Sequence, residues 1–550
     1  MSRLCSRPLA LLLGITLAAA TAHAVPPRQP GEEPDVPAAT QPNGGPPILV
    51  YDNLNSSARP AYATDHIVVR FGPAVSAAMR RQITWSLGGR DYVQAEFGDF
   101  GRVPVRPGED PQAVARRFRS NRDVEMAEVD WLAHAVEGRT RLARDHQLAQ
   151  ATAARTRSGG VEARARQAGT PRDGVDSTAS TGPAGSSAPA SSMRVGAAQD
   201  NPGFLAAQWH LERIRTQQAE TLNPTRGAGV IVAVIDTGVG LWNGASCQNN
   251  IPRDRGLDLN GTRFVAGRDF VDNDNQALDE GSGDAPLAPR FGHGTFVATV
   301  IAAAVDNGVG GRGVAPGVSI MPVRVLGRDG FGNFSDIAEG INFAVANGAD
   351  VINMSLGGNI TPDQWNGTPA AAAVRNAHAA GVVLVAATGN EADTADPPSD
   401  VGFPARDPNV IAVGATRFND NRASYSNFGP GVDIMAPGGE NPFTVVNEQT
   451  GARDAILSPS FVHCPGDREP CDGVPTVCSG FFSTGTSFAA PQVAAGAAML
   501  KALGVEDPDV IRTLLQNGAR DIGAQGFDSE TGHGLLDLFG AHRGFGFSFE

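Results

Sequence analysis

Residues 229–238 read Gly-Val-Ile-Val-Ala-Val-Ile-Asp-Thr-Gly. Gly229–Ile235 shows no alternation of apolar and polar positions, which predicts a strand covered on both faces. Such strands belong to parallel sheets. The same texture returns at Ser319–Leu326, Val351–Leu356, Val382–Ala387 and Val410–Val413. Helical patterns lie between them. In Asp336–Asn347, Asp336 and Glu339 predict a capping-box-like start, with Ile337, Ile341 and Val345 on one face. Ala370–Ala380 is alanine-rich and stops at Gly381, a residue suited to a helix C-terminus. Strands alternating with helices predict the α/β class, a parallel sheet with helices on both faces.

Asp236 ends the first of these strands, and in such sheets functional groups collect at the carboxyl ends. Three segments then stand in order: Val-Ile-Asp-Thr-Gly at 234–238, His-Gly-Thr at 293–295 and Gly-Thr-Ser-Phe-Ala-Ala-Pro at 485–491. A serine hydroxyl becomes a useful nucleophile when a histidine takes its proton and a carboxylate holds the histidine in the right tautomer. Asp236, His293 and Ser487 supply that set. His293 is expected at the mouth of a small-residue helix, where Gly294 and Thr295 let another backbone approach. Ser487 is expected at the start of a helix running to about Lys501, with Pro491 in its first turn. Gly485, Ala489 and Ala490 clear space around the hydroxyl. Asn390 follows another apolar strand in Ala386-Ala-Thr-Gly-Asn390. Its amide, with the Ser487 N–H, could hold a developing oxyanion.

Together these motifs resemble those of the subtilisin-like (S8) serine endopeptidases, from about residue 201 to 540. The likeness lies in VIDTGV, HGT, NMSLGG, AATGN and GTSFAAP. It implies a subtilisin-like parallel sheet with helices on both faces, preceded by a small α+β prodomain. It also implies a secreted peptide hydrolase working through an acyl-enzyme, with no catalytic cofactor. Carried over by position, Ser355, Leu356 and Gly357 form the strand edge that pairs with extended substrate. Gly357, Ala387 and Gly402 line the pocket for the residue before the scissile bond. Small walls leave that pocket open to a large apolar side chain, and nearby Asp400 leaves a basic preference open. Calcium is the implied structural cofactor. Asp269, Asp272, Asp274 and Gln276 crowd hard oxygen donors on one loop that resembles a calcium loop of thermitase-like members.

The 550 residues allow two to four domains at roughly 100–200 residues each. Residues 1–24 read as a signal peptide: Arg3 and Arg7, an apolar run Pro8–Ala20, then Ala22-His23-Ala24. Residues 25–62 are a Pro/Gly/Asn-rich leader. Residues 63–136 read as a folded α+β unit, with strands at His66–Phe71 and Val124–Ala135 and a helix capped by Asp110. The family likeness makes this unit a prodomain that inhibits through its tail, with the first cut near His134–Val136. Residues 137–200 have little to bury and read as a cleavable linker, and 201–550 as the catalytic domain. Export permits disulfides among Cys247, Cys464, Cys471 and Cys478, whose pairing stays open.

The net charge of −14 argues against a nucleic-acid partner. No later apolar run is long enough for a membrane anchor. The expected partners are protein or peptide substrates and the chain's own prodomain, acting on a monomer. Rival readings are a scaffold that grips peptides without cutting, and ester hydrolysis or transpeptidation by the same site.

Overall fold

The computed structural model describes residues 61–135, 140–142, 202–240, 259, 261–279, 292–306, 311–327, 329–394, 400–448, 452–462 and 478–547. The expected signal peptide, most of the leader and linker, Val136, Cys247, Cys464 and Cys471 lie outside the described residues.

The N-terminal part runs β1 (Tyr62–Phe71), α1 (Ala77–Ser86), β2 (Val93–Gln94), β3 (Gly101–Pro104), α2 (Pro111–Arg119) and β4 (Val124–Ala135). β1 pairs antiparallel with both β3 and β4. Asp110 caps α2 by accepting from the N–H groups of Gln112 and Ala113, and Pro111 fills the first turn. Val114, Ala115 and Phe118 of α2 then bury against Ile67, Val69 and Ala127 of the sheet. This is the small α+β unit expected from the sequence.

The chain continues through β5 (Thr140–Leu142), α3 (Pro202–Ala207), α4 (Trp209–Arg213), α5 (Thr216–Leu222), β6 (Ile231–Asp236), β7 (Arg263–Phe264), β8 (Arg268–Asp269), α6 (His293–Ala302), β9 (Ser319–Arg324), β10 (Phe331–Asn333) and α7 (Phe334–Ala346). Next come β11 (Val351–Met354), β12 (Leu356–Gly357), α8 (Pro362–Asn366), α9 (Pro369–Ala379), β13 (Val383–Ala387), β14 (Val410–Thr416) and β15 (Ile434–Pro437). The last elements are β16 (Gly439–Asn447), β17 (Ala452–Val462), β18 (Cys478–Ser483), α10 (Thr486–Lys501), α11 (Pro508–Gly518) and α12 (Leu538–Phe547). The central sheet has the order β15-β14-β13-β11-β6-β9-β7, with β8 also on β9. Its pairings are parallel. The chain is thus an α/β protein built on a parallel sheet.

Successive residues of β6 face opposite sides. Val232 and Val234 pack with Val297 and Ile301 of α6 and Ala490 and Val493 of α10. Ala233 and Ile235 pack with Ile337 and Ile341 of α7 and Val374 and Ala377 of α9. Fully burying a side chain of this size contributes about 1.5–3 kcal/mol, which favours a strand apolar at every position. Gly381 adopts φ +86° just beyond α9, as the helix stop requires.

Two local readings are corrected. α7 begins at Phe334 with Asn333 as its N-cap, and no side chain of its own caps it. Asp336 and Glu339 turn outward to the N-terminal unit instead. Asp336 pairs with Arg102, and Glu339 Oε2 accepts the N–H groups of Glu96 (2.8 Å) and Phe97 (3.2 Å). The α7 cap comes from that unit as well, since Asp130 Oδ1 accepts the Ser335 N–H at 3.1 Å. The second correction is Pro491, which lies inside α10 rather than in its first turn.

Candidate active site

The sheet brings the expected residues to one edge. Asp236 is the last residue of β6, Ser355 follows β11, and Asn390 lies three residues beyond β13. These strands are neighbours in the order β13-β11-β6. His293 opens α6, and Ser487 is the second residue of α10.

Asp236 Oδ1 lies 2.7 Å from His293 Nδ1. A carboxylate accepts only, so Nδ1 carries the proton and Nε2 is left as the basic nitrogen. Asp236 Oδ1 also accepts the Thr237 N–H at 2.7 Å, which fixes the carboxylate. Both side chains are buried. The close fit depends on Gly294, where a Cβ would meet Gly238 O at 2.1 Å and Asp236 Cβ at 3.1 Å. The Phe488 ring sits 5.7 Å from the His293 ring, which sets the start of α10 beside the imidazole.

Ser487 and Ser355 are joined twice. The Ser487 hydroxyl donates to Ser355 O at 3.0 Å, and the Ser355 hydroxyl donates to Ser487 O at 2.8 Å. Asn353 Nδ2 supports the second hydroxyl at 3.0 Å. Asn390 is oriented by the residue before the serine. Its Oδ1 accepts the Thr486 N–H at 3.0 Å and the Thr486 hydroxyl at 2.9 Å. A backbone N–H cannot accept, so this amide oxygen is assigned and the NH2 points the other way.

The expected strand edge is engaged by the chain itself. Leu356 and Gly357 of β12 pair antiparallel with Ala135 and His134 of β4. On its other side the same segment pairs with Phe331, Gly332 and Asn333 of β10. The β10 edge has no counterpart in the sequence reading. Its three residues become a strand only through β4, some two hundred residues upstream. The segments that carry the residues expected to line a pocket are bonded to one another. Gly402 N–H donates to Thr388 O at 3.0 Å, Phe403 and Gly358 exchange backbone bonds of 2.8 and 3.1 Å, and Ala387 is buried. Asp400 is tied to Arg406 at 2.8 Å and accepts the Val401 N–H, so its charge is already matched.

The loop expected to hold calcium is engaged within the chain. Asp269 and Asp272 hold Arg324, whose Nη1 lies 2.7 and 2.6 Å from their carboxylates. The other Asp269 oxygen accepts the Val271 and Asp272 N–H groups. Asp274 Oδ1 accepts the Gln276 N–H at 2.7 Å. A buried guanidinium thus supplies the positive charge between Asp269 and Asp272, while Asp274 turns one oxygen to its own loop. Among the described residues, no group of three or more His, Cys, Asp or Glu side chains suits a metal ion.

Comparison with known proteins gives one answer. The family model described as Subtilase family matches residues 227–534. The chain is 36% identical over 340 residues to alkaline elastase YaB of Bacillus sp. (strain YaB), covering 61% of this chain and 70% of that protein. It is 33% identical over 339 residues to subtilisin BL of Lederbergia lenta, covering 61% of this chain and 98% of that protein. Among solved structures it resembles fervidolysin from Fervidobacterium pennivorans, a keratinolytic enzyme related to subtilisin. That likeness has a TM-score of 0.59 at 24% identity and covers 88% of this chain and 61% of that one. At that identity it speaks for the fold.

Proposed function

The chain belongs to the subtilase family and is a serine-type peptidase, and from that premise we propose that Asp236, His293 and Ser487 are its catalytic residues, with Asn390 as oxyanion donor. The observation that carries this reading is the buried 2.7 Å contact of Asp236 with His293 at the sheet edge, beside the start of α10.

The Ser487 hydroxyl turns from Ser355 O toward His293 Nε2, gives up its proton and attacks the peptide carbonyl. Asp236 stabilises the imidazolium that forms. The tetrahedral oxyanion is held by the Asn390 NH2 and by the Ser487 N–H, in the first turn of α10, where the helix supplies no acceptor of its own. His293 then protonates the leaving amine. Water repeats the attack on the acyl-enzyme and frees Ser487.

Substrate binds as an extended strand between β10 and β12, with Gly357, Ala387 and Gly402 lining the pocket for the residue before the scissile bond. Residues 63–136 act as a prodomain that fills this cleft with the end of β4 until the chain cuts itself near His134–Val136. The pairing of β4 with β12 supports that role. The N-terminal sequence supports export. No described helix is long and apolar enough to cross a membrane.

Treatment with a fluorophosphonate followed by peptide mapping tests the assignment. The expected result is one label, on Ser487. A label elsewhere, or none on a chain that hydrolyses protein, overturns it.

A further inference from the structure

We propose that Phe331 and Glu391 form a subsite that selects a planar cationic side chain, arginine above all, on the substrate residue that pairs with Gly357. The proposal rests on the peptidase reading above, in which substrate takes the place of the β4 end.

The present occupant of that place is His134, which pairs with Phe331 on one side and Gly357 on the other. Its ring stacks on Phe331 with centroids 5.8 Å apart and planes 16° from parallel. Its Nδ1 lies 2.9 Å from Gly357 O, and since a carbonyl only accepts, Nδ1 is the protonated nitrogen. Its Nε2 faces Glu391 Oε1 at 3.6 Å.

Glu391 is held to present that oxygen. Its Oε2 accepts Asn427 Nδ2 at 2.7 Å and the Asn390 N–H at 3.0 Å. Its own N–H donates to Asn427 Oδ1 at 2.9 Å. The second carboxylate oxygen is therefore aimed into the cleft.

Histidine uses this site incompletely. Burial and the neighbouring His293 push its pKa down to about 4. At neutral pH the Nε2 lone pair then faces the carboxylate and donates nothing. Burial also raises the Glu391 pKa, a cost that a cation opposite would relieve. A guanidinium stays charged, carries five N–H donors in a plane and stacks on aromatic faces. It can lie on Phe331 and donate to Glu391 at once, while a substrate carboxylate in that place would meet like charge.

The test uses enzyme produced from the full chain and internally quenched peptides with the sequence of residues 131–140. The His134 position carries Arg, Ala or Glu, and the cut bond is identified by mass. Native enzyme should show a kcat/KM for the Arg peptide about tenfold above the Ala peptide, with the Glu peptide below both. The Arg-to-Ala ratio should fall at least about threefold in Glu391→Gln and by a smaller factor in Phe331→Leu. Equal rates for Arg and Ala, a ratio that survives Glu391→Gln, or a cut moved to follow the arginine overturns the proposal. Should Glu391→Gln not fold, the Glu peptide decides on native enzyme, and its cleavage at the Ala rate overturns the proposal. Failure of the peptidase reading looks different: no peptide is cut and no fluorophosphonate is bound.

Discussion

Ser355 and Ser487 hold each other by two hydrogen bonds, hydroxyl to carbonyl in each direction. The second bond depends on Pro491. In a regular helix the N–H of residue 491 would bond to Ser487 O, and proline has none. The carbonyl left over is taken by the Ser355 hydroxyl from the end of β11, which ties the start of α10 to the sheet.

This predicts a coupling. In a Ser487→Ala background, which keeps the carbonyl, Ser355→Ala should cost about 1–3 kcal/mol by leaving that buried carbonyl without a donor. Adding Pro491→Ala supplies an N–H four residues on and should recover part of the loss. Urea unfolding of the four chains measures the coupling. Additive effects would show that the two residues do not share this carbonyl.

Asn390 should act on the transition state more than on binding. Asn390→Ala and Asn390→Asp should each lower kcat by about 10²–10³ and leave KM nearly unchanged. Thr486→Val removes one of the two bonds that orient the amide but keeps the backbone N–H. Its loss should be no more than about tenfold. Steady-state kinetics on one peptide decide this, and equal losses at the two positions would contradict the proposed orientation.

The contact between the N-terminal unit and α7 should weaken as pH rises. His66 Nε2 lies 2.9 Å from Asp130, the residue that caps α7. Burial disfavours the charged ring, but Asp130 and Asp65 outweigh it, and the His66 pKa is raised. Its stabilisation is present below 6.5 and lost as pH rises through the folded value. Burial also lifts Asp336 to about 6, so its contribution fades as pH climbs from 3.8 to that value. In a Ser487→Ala chain, stability to urea should fall between pH 6 and 8, and His66→Gln should flatten that slope. An unchanged slope would remove His66 from the account.

Arg324 should be the cation that matters on the Asp269 loop. Asp269→Asn leaves a buried guanidinium half-paired, at a cost of about 3–5 kcal/mol. Because the partner is an arginine, the loss should be the same in calcium and in a chelator. Denaturation of the Ser487→Ala chain in both conditions checks this. A loss that appears only with calcium present would restore the loop as a metal site.

The sheet was legible because its central strands are buried on both faces, so burial wrote an unbroken apolar run into residues 231–235 and Val383–Ala387. The candidate triad was legible because close approach demands small neighbours such as Gly294. What was hidden depends on partners far along the chain. Asp336 and Glu339 carry the spacing of a local cap, yet Arg102 and the N–H groups of Glu96 and Phe97 draw them outward. Asp269 and Asp272 looked like metal ligands because nothing local shows that Arg324, some fifty residues on, lies between them. Thr486 stood next to the serine in the motif, but its hold on Asn390 needs the fold.

The measurement closest to the central claim is turnover of a peptide by Ser487→Ala beside the native enzyme. The native chain should hydrolyse it. The variant, folded by circular dichroism and with its N-terminal unit removed by an added protease, should lose about 10⁶ in kcat, since removal of the nucleophile alone abolishes the acyl-enzyme route. A folded variant that keeps even a hundredth of native turnover would contradict the assignment of Ser487 as nucleophile.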